Sequence, residues 1–273
     1  MSTYAKRPDE RLPDIGIGGA PDSGFRFDPV EHAYFLDGKP LHGITTVLGV
    51  IAKPALIQWA AKMACEYIEQ TAEVQPAFDG GKVYIATEQI LKDARIAHRR
   101  KKEDAADKGT DLHAEVEKFV QFVITVHGGV IPKGYTVPEN IRQFNEWAQE
   151  NNIKFLASEQ RLYSKEHWVA GTCDLVFEKD GKTYIGDVKT YKKIWDRTPF
   201  FQCAAYGMMW EERGLERDEK GSLKVYPDLA GYCVLRLSKD GTFEAQWSFD
   251  IEGDRAAFLN ALGLYKALKA FKA

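Results

Sequence analysis

Residues 170–190 read AGTCDLVFEKDGKTYIGDVKT: two apolar runs separated by Asp180-Gly181, with Asp174, Asp187 and Lys189 set inside the runs rather than at their ends. Asp-Gly is favoured at the centre of a two-residue type I′ turn, because both positions need positive φ. That turn fixes the register of the hairpin, and Asp174 is expected to face Asp187. Side chains alternate along a strand, so Asp174, Val176, Ile185, Asp187 and Lys189 share one face while Cys173, Leu175, Phe177, Tyr184 and Val188 share the other. Directly opposed β-carbons lie about 4.5–5.5 Å apart, and like charges placed so are destabilising. Something positive is needed between the two carboxylates. A divalent cation is the economical answer, since Mg²⁺ prefers oxygen ligands, is commonly held by one or two carboxylates and keeps several waters for chemistry. Lys189, two residues beyond Asp187 on the same face, is placed to reach a phosphate oxygen or the attacking water. The alternative is an exposed sheet face with a Lys–Asp pair worth at most ~1 kcal/mol. Apolar Val176 and Ile185 on the same face speak against it.

The surrounding chain reads as α/β. FRFDPVEHAYFLDGKPLHGITTVLGV (25–50) alternates around Asp37-Gly38, a hairpin signal. Pro54 opens an amphipathic helix with Leu56, Trp59, Ala60, Met63 and Tyr67 at helical spacing. After a loop at Asp79-Gly80-Gly81 comes a helix-rich stretch over 86–126 that is expected to break near Gly109, with Thr110 capping its second part. Further helices are expected after Pro138, after Pro199 and over 254–271, and strands over 230–248. Strands bracketed by helices give an α/β class with a helix-rich N-terminal half. Residues 1–24 read as a flexible tail. Residues 25–273 read as one domain, in which 25–108 form a hairpin and helical elaboration and 109–273 the core.

Composition narrows the function. With 273 residues, 44% of them hydrophobic and 28% charged, the chain resembles an ordinary globular protein. No apolar run approaches the ~20 residues of a membrane span and no secretory leader is evident. No membrane role is expected, and the location expected is the cytoplasm of a bacterial or phage-infected cell. Cys65, Cys173, Cys203 and Cys233 are far apart and form no Cys-x-x-Cys pair. Gly19 to Gly24 has the outer spacing of a phosphate loop, but Phe25-Arg26 stands where Lys-Ser/Thr is required, so ATP binding is not expected. A net charge of −3 leaves any nucleic-acid contact to local patches. Two basic runs qualify. One is Lys92, Arg95, His98, Arg99, Arg100, Lys101, Lys102 and Lys108, diluted by Glu103, Asp104 and Asp107. The other, Lys192, Lys193 and Arg197 with Tyr191 and Trp195 interleaved, follows the acidic hairpin directly and offers aromatic faces for unpaired bases.

Gly171-Thr-Cys-Asp174, twelve residues, then Asp187-Val-Lys189-Thr190 resembles the core motif of the PD-(D/E)XK nuclease superfamily, and most closely its RecB-like exonuclease branch. Three further segments resemble that branch: the Gly-x-x-x-His helix at Gly109–His113, an acidic residue, Glu159, before the hairpin, and a Gln-x-x-x-Tyr helix at Gln202–Tyr206. Cys173 stands where the name-giving proline would be, and the cysteines of an iron–sulfur cluster have no counterpart, so no cluster is expected. The resemblance implies a restriction-endonuclease-like core and a metal-dependent DNA exonuclease of recombination, repair or phage DNA metabolism. It implies that Asp174, Asp187 and the Val188 carbonyl hold Mg²⁺ or Mn²⁺, with His113 or Glu159 completing the shell and Lys189 acting on the water or the phosphate.

By residue pattern alone His113 is a core-edge histidine flanking Leu112, Val116, Phe119, Val120 and Val123; by resemblance it is a ligand. Glu117 either orients His113 or faces solvent. Glu159 shares the parity of Phe155, Ala157, Arg161 and Tyr163, which does not obviously turn it toward the metal. Gln202 and Tyr206 lie on one helical face and contact DNA or Lys189 in relatives, although Tyr206 is also surrounded by core residues. DNA ends are the expected substrate and a single-strand annealing or recombination protein a possible partner. A structure-specific or restriction-like endonuclease and a non-catalytic DNA-binding module of the same fold are the alternatives.

Overall fold

The computed structural model describes residues 24–191, 193–213, 227–238 and 241–270, without the side chains of 104–111. In chain order the elements are β1 (Phe25–Asp28), β2 (Ala33–Leu36), β3 (Lys39–Pro40), β4 (His42–Gly43), α1 (Ile44–Leu48), α2 (Pro54–Thr71), β5 (Glu73–Pro76), β6 (Lys82–Ile85) and α3 (Glu88–His127). A 3₁₀ turn (Glu139–Ile141) leads to α4 (Arg142–Glu150), β7 (Lys154–Ser164), β8 (Val169–Lys179), β9 (Lys182–Lys189), α5 (Thr198–Arg213), β10 (Leu229–Leu237), β11 (Phe243–Ser248) and α6 (Ile251–Ala270).

Two compact units result: Ile51–Asp111, and the chain up to Val50 together with Leu112 onward. The 25–50 segment belongs to the same unit as Leu112 onward. Its attachment is specific. β4 pairs parallel with the start of β8, Tyr34 shares a 2.8 Å hydrogen bond with Thr172 Oγ1, and Trp168 Nε1 donates to the Pro40 carbonyl at 3.0 Å.

The larger unit is built on a mixed sheet of order β11-β10-β9-β8-β4, with β7 along β8. The hairpin β8–β9 is as expected: Asp180 and Gly181 have φ of 51° and 72°, and Lys179↔Lys182 through Leu175↔Gly186 follow the register that turn dictates. β9 then pairs parallel with β10, a connection that needs a crossover, and α5 supplies it. Strands buried on both faces read as near-continuous apolar runs, and β8 is one: Cys173, Leu175, Val176 and Phe177 are all at most 1% exposed. On one face Leu175, Phe177, Tyr184, Val188 and Leu235 pack under Val116, Val120 and Val123 of α3 and Phe144 of α4. On the other face α5 crosses β7–β10 and packs on α6. Each large core side chain removed from water contributes about 1.5–3 kcal/mol.

The close fit of α5 explains Gly171. A β-carbon there would sit 2.8 Å from Tyr206 Cε1 and 2.9 Å from Ile44 Cδ1. Only glycine lets the β8 backbone approach the Tyr206 ring.

Two expectations are corrected. Gly109 does not break the helix: α3 stays helical through it, so Thr110 lies inside the helix rather than at the start of one. A lone helical glycine costs about 1 kcal/mol, which 40 residues of helix absorb. Secondly, the loop at Asp79-Gly80-Gly81 is present as expected, but it joins two strands that were not expected, the antiparallel hairpin β5–β6 in the 51–111 unit. The 1–23 segment of the expected tail lies outside the described residues. No helix among the described residues is long and apolar enough to cross a membrane.

Candidate metal and catalytic site

The β8–β9 ladder ends at Leu175↔Gly186, one step before the two aspartates. Beyond that point the strands part, and the next backbone donor, Val188 N–H, is satisfied by the Asp174 carboxylate at 2.7 Å. On the other side of β8, Ser158↔Leu175 and Gln160↔Cys173 bracket Glu159 opposite Asp174. Glu159, Asp174 and Asp187 therefore form one row across β7, β8 and β9.

Glu159 reaches the row because its backbone is unusual. Its φ is +51°, in the left-handed region that a residue of this size adopts at a cost of about 1–2 kcal/mol. Buried positions in β7 run Phe155, Ala157, then Gln160 and Leu162. The alternation changes phase at Glu159 and turns its carboxylate toward His113, whose Nδ1 lies 3.8 Å from Glu159 Oε1. The strict alternation assumed from sequence is wrong at this residue.

His113 enters from α3 with Nε2 3.1 Å from Asp174 Oδ2. One donor atom each from His113, Glu159 and Asp174 lie within 4.8 Å of one another. This set of one imidazole nitrogen and two carboxylate oxygens could hold a metal ion. Without a cation, a proton on His113 serves as the positive charge. Burial would lower the His113 pKa, but the hydrogen bond to Asp174 and the charges of Asp174, Glu159 and Asp187 raise it to about 9. Burial likewise works against the charged form of Asp174, yet His113, Lys189 and the Val188 N–H hold its carboxyl below the usual range.

Asp187 is differently placed. It is fully buried, and Lys189 Nζ lies 2.7 Å from its Oδ1 and 2.6 Å from its Oδ2. Burial, helped by the charge of Asp174, pushes its carboxyl up to about 7 against the pull of Lys189. The Lys189 pKa is opposed by burial but raised above its ordinary value by Asp187 and Asp174, so the ammonium persists at neutral pH. Gln202 fixes its position: Lys189 Nζ donates to Gln202 Oε1 at 3.2 Å, and Gln202 Nε2 donates to the Tyr206 hydroxyl at 3.0 Å. The Gln-x-x-x-Tyr pair thus acts on the lysine from inside the protein. Tyr206 is 3% exposed and has no free surface for DNA. Glu117 takes the Gln121 amide at 3.1 Å instead of touching His113.

Among the predicted DNA contacts, Tyr191, Lys193 and Trp195 are exposed, while Lys192 lies outside the described residues. Arg197 is committed elsewhere, donating to buried Asp254 at 2.7 Å and to Ser248 Oγ at 3.1 Å. In the 51–111 unit, Lys92 pairs with Glu88 and Arg100 with Asp93, leaving Arg95, Arg99, Lys101 and Lys102 on the surface. The Lys108 side chain is outside the described residues.

One neighbour was not picked out from sequence. Arg236 pairs with Lys189 in the parallel β9–β10 register, so its side chain points to the same face, where Glu244 and Thr242 accept from it at 3.1 Å each. The signal was an arginine in the apolar strand GYCVLRL.

No protein-family model and no curated protein matches this chain.

The strained glutamate gives a test that separates function from stability. Glu159→Asn keeps a residue that tolerates φ of +51° while withdrawing the carboxylate from the site. The metal-free protein should melt at the same temperature or higher, whereas Mn²⁺ affinity by calorimetric titration should drop at least tenfold. Unchanged affinity would remove Glu159 from the ligand set.

Proposed function

We propose that this chain is a Mg²⁺- or Mn²⁺-dependent deoxyribonuclease with a restriction-endonuclease-like core of the PD-(D/E)XK kind, acting as an exonuclease on DNA ends in recombination, repair or phage DNA metabolism. The observation that carries the proposal is the row Glu159–Asp174–Asp187 where β8 and β9 part, with Lys189 held against it by Asp187 and Gln202. Three carboxylates converging beside a buried ammonium are costly to fold, because burying charge costs several kcal/mol per ion. Such a cost is well matched to a site that handles a cation and a phosphate.

His113, Glu159 and Asp174 would hold the cation, and Asp187 and the Val188 carbonyl are the further ligands that the resemblance implies. When bound, the metal supplies a water of lowered pKa and neutralises charge building on the phosphate. Lys189 stays protonated across the neutral range, so its part is to donate a hydrogen bond and positive charge to the phosphate oxygens or to orient the water, not to take its proton. Gln202 and Tyr206 keep that ammonium in place. Exonuclease action rests on the branch resemblance.

The test is digestion of end-labelled linear DNA and closed circular DNA with Mg²⁺, Mn²⁺ or EDTA, comparing wild type with Asp174→Ala. Metal-dependent release of label by wild type is expected, with closed circles spared and Asp174→Ala slower by 10²-fold or more, the order found when one transition-state contact is removed. Cut circles would make it an endonuclease. DNA binding without cleavage under either metal would leave a binding module of the same fold.

A further inference from the structure

We infer that Trp195, with Lys193 against it and Ile194, Asp196 and Arg197 anchoring it, is a preformed stacking platform that makes unpaired DNA, rather than fully paired duplex, the preferred ligand of the site. The inference rests on the nuclease proposal for the identity of the ligand, and on the following geometry for its strandedness. Trp195 is 74% exposed, an unusual state for the largest apolar side chain, and Tyr191, four residues earlier, is 38% exposed. Exposure of this kind normally accompanies a mobile loop, but this loop is pinned on both sides of the indole. Ile194 is buried at 8% exposure, the Asp196 carboxylate accepts from Thr198 N–H at 2.8 Å, and Arg197 donates to buried Asp254 at 2.7 Å.

The Lys193 ammonium lies 5.4 Å from the Trp195 ring centroid, a cation–π pairing that brings a positive charge next to a flat apolar face. A base stacked on an aromatic ring with its phosphate near a lysine is the arrangement by which proteins hold single strands without reading sequence. A paired duplex hides its base faces in the stack except at its two ends and offers Trp195 far less to stack on. Arg197 also ties the loop to Ser248 at 3.1 Å. Trp195 is six residues beyond Lys189, so it lies no more than about 20 Å along the chain from the candidate site, a span of a few nucleotides.

The experiment is fluorescence anisotropy with a labelled oligothymidylate and a blunt duplex, in EDTA so that binding is read without cleavage, using wild type, Trp195→Ala and Trp195→Phe. Wild type should favour the single strand. Trp195→Ala should reduce the ratio of single-strand to duplex affinity about tenfold, within the range for loss of one base stack, and Trp195→Phe should restore most of it. Equal weakening for both ligands, no weakening, or no rescue by phenylalanine overturns the platform. Parallel digestion with Mn²⁺ keeps the two proposals apart. A platform that behaves as expected in a protein that never cuts refutes the nuclease reading alone, whereas cleavage with an unaltered strand preference in Trp195→Ala refutes the platform alone.

Discussion

Lys189→Ala should abolish metal-dependent DNA cleavage, lowering the rate by about 10²–10³-fold or more, while leaving a folded protein whose stability has acquired a new pH dependence. The first effect follows from the loss of the ammonium that Asp187 and Gln202 hold in place, since removing one preorganised donor from a charge-developing site costs that much. The second follows from what is left behind. Asp187 is fully buried and already pushed up to about 7 with its partner present. Without Lys189, its carboxyl takes up a proton more readily, because breaking a buried pair by removing one partner strands an uncompensated charge worth about 3–5 kcal/mol. Protonation relieves that penalty below neutral pH, so urea denaturation should find the variant close to wild type in mild acid and progressively weaker above neutrality. Lys189→Met, of similar length and uncharged, should behave alike and exclude a packing explanation. A variant that still cuts at more than a tenth of the wild-type rate would remove Lys189 from the chemistry.

How far this site is legible from sequence depends on which local rule governs each residue. Asp174 and Asp187 could be paired in advance because Asp180-Gly181 allows one turn geometry, and both φ values proved positive. Their surroundings follow from that register, including the apolar face that buries Asp187. Glu159 escaped because strand parity assumes unbroken alternation, whereas β7 carries an irregularity between Phe155 and Ala157 and a left-handed residue at Glu159 itself. No residue type announces such a change when a glutamate, rather than a glycine or asparagine, adopts it. Gly109 misled in the opposite direction, as a helix breaker that α3 tolerates. Tyr206 and Arg197 were recognisable as part of the site's neighbourhood, but their partners are long-range: Gly171 leaves space for the tyrosine ring, and Asp254 of α6 engages the arginine. Sequence spacing gives neighbours on one element, whereas these contacts depend on how elements pack.

The metal-free protein should lose stability as pH rises from about 6.5 to about 9, and a divalent cation should reverse the loss. His113 carries the effect. Its pKa rises from 6.5 to about 9 on folding, so its contribution is fully present below pH 6.5 and disappears as pH passes through 9. At 1.36 kcal/mol per pH unit the full loss is about 3 kcal/mol. Asp187 acts in the same direction. Its carboxyl is raised from 3.8 to about 7, so its contribution falls away between those values and is gone above neutrality. Asp174 has the opposite sign, since its lowered pKa gives stability that is present above 3.8 and lost only in stronger acid, outside the window. In the proposed ligation, metal binding would compete with the proton on His113. Ligation needs the free imidazole, so affinity for Mn²⁺ should climb about tenfold per pH unit and level off near pH 9. Scanning calorimetry across this range, in EDTA and in Mn²⁺, reads both slopes. In EDTA the melting temperature should fall with pH. In Mn²⁺ it should hold level or rise, and His113→Gln should flatten the EDTA slope above neutrality. A melting temperature in EDTA that stays constant from about pH 6.5 to about pH 9 would mean that no proton sits between His113 and Asp174, and with it would go the view of that pair as the place where proton and metal exchange.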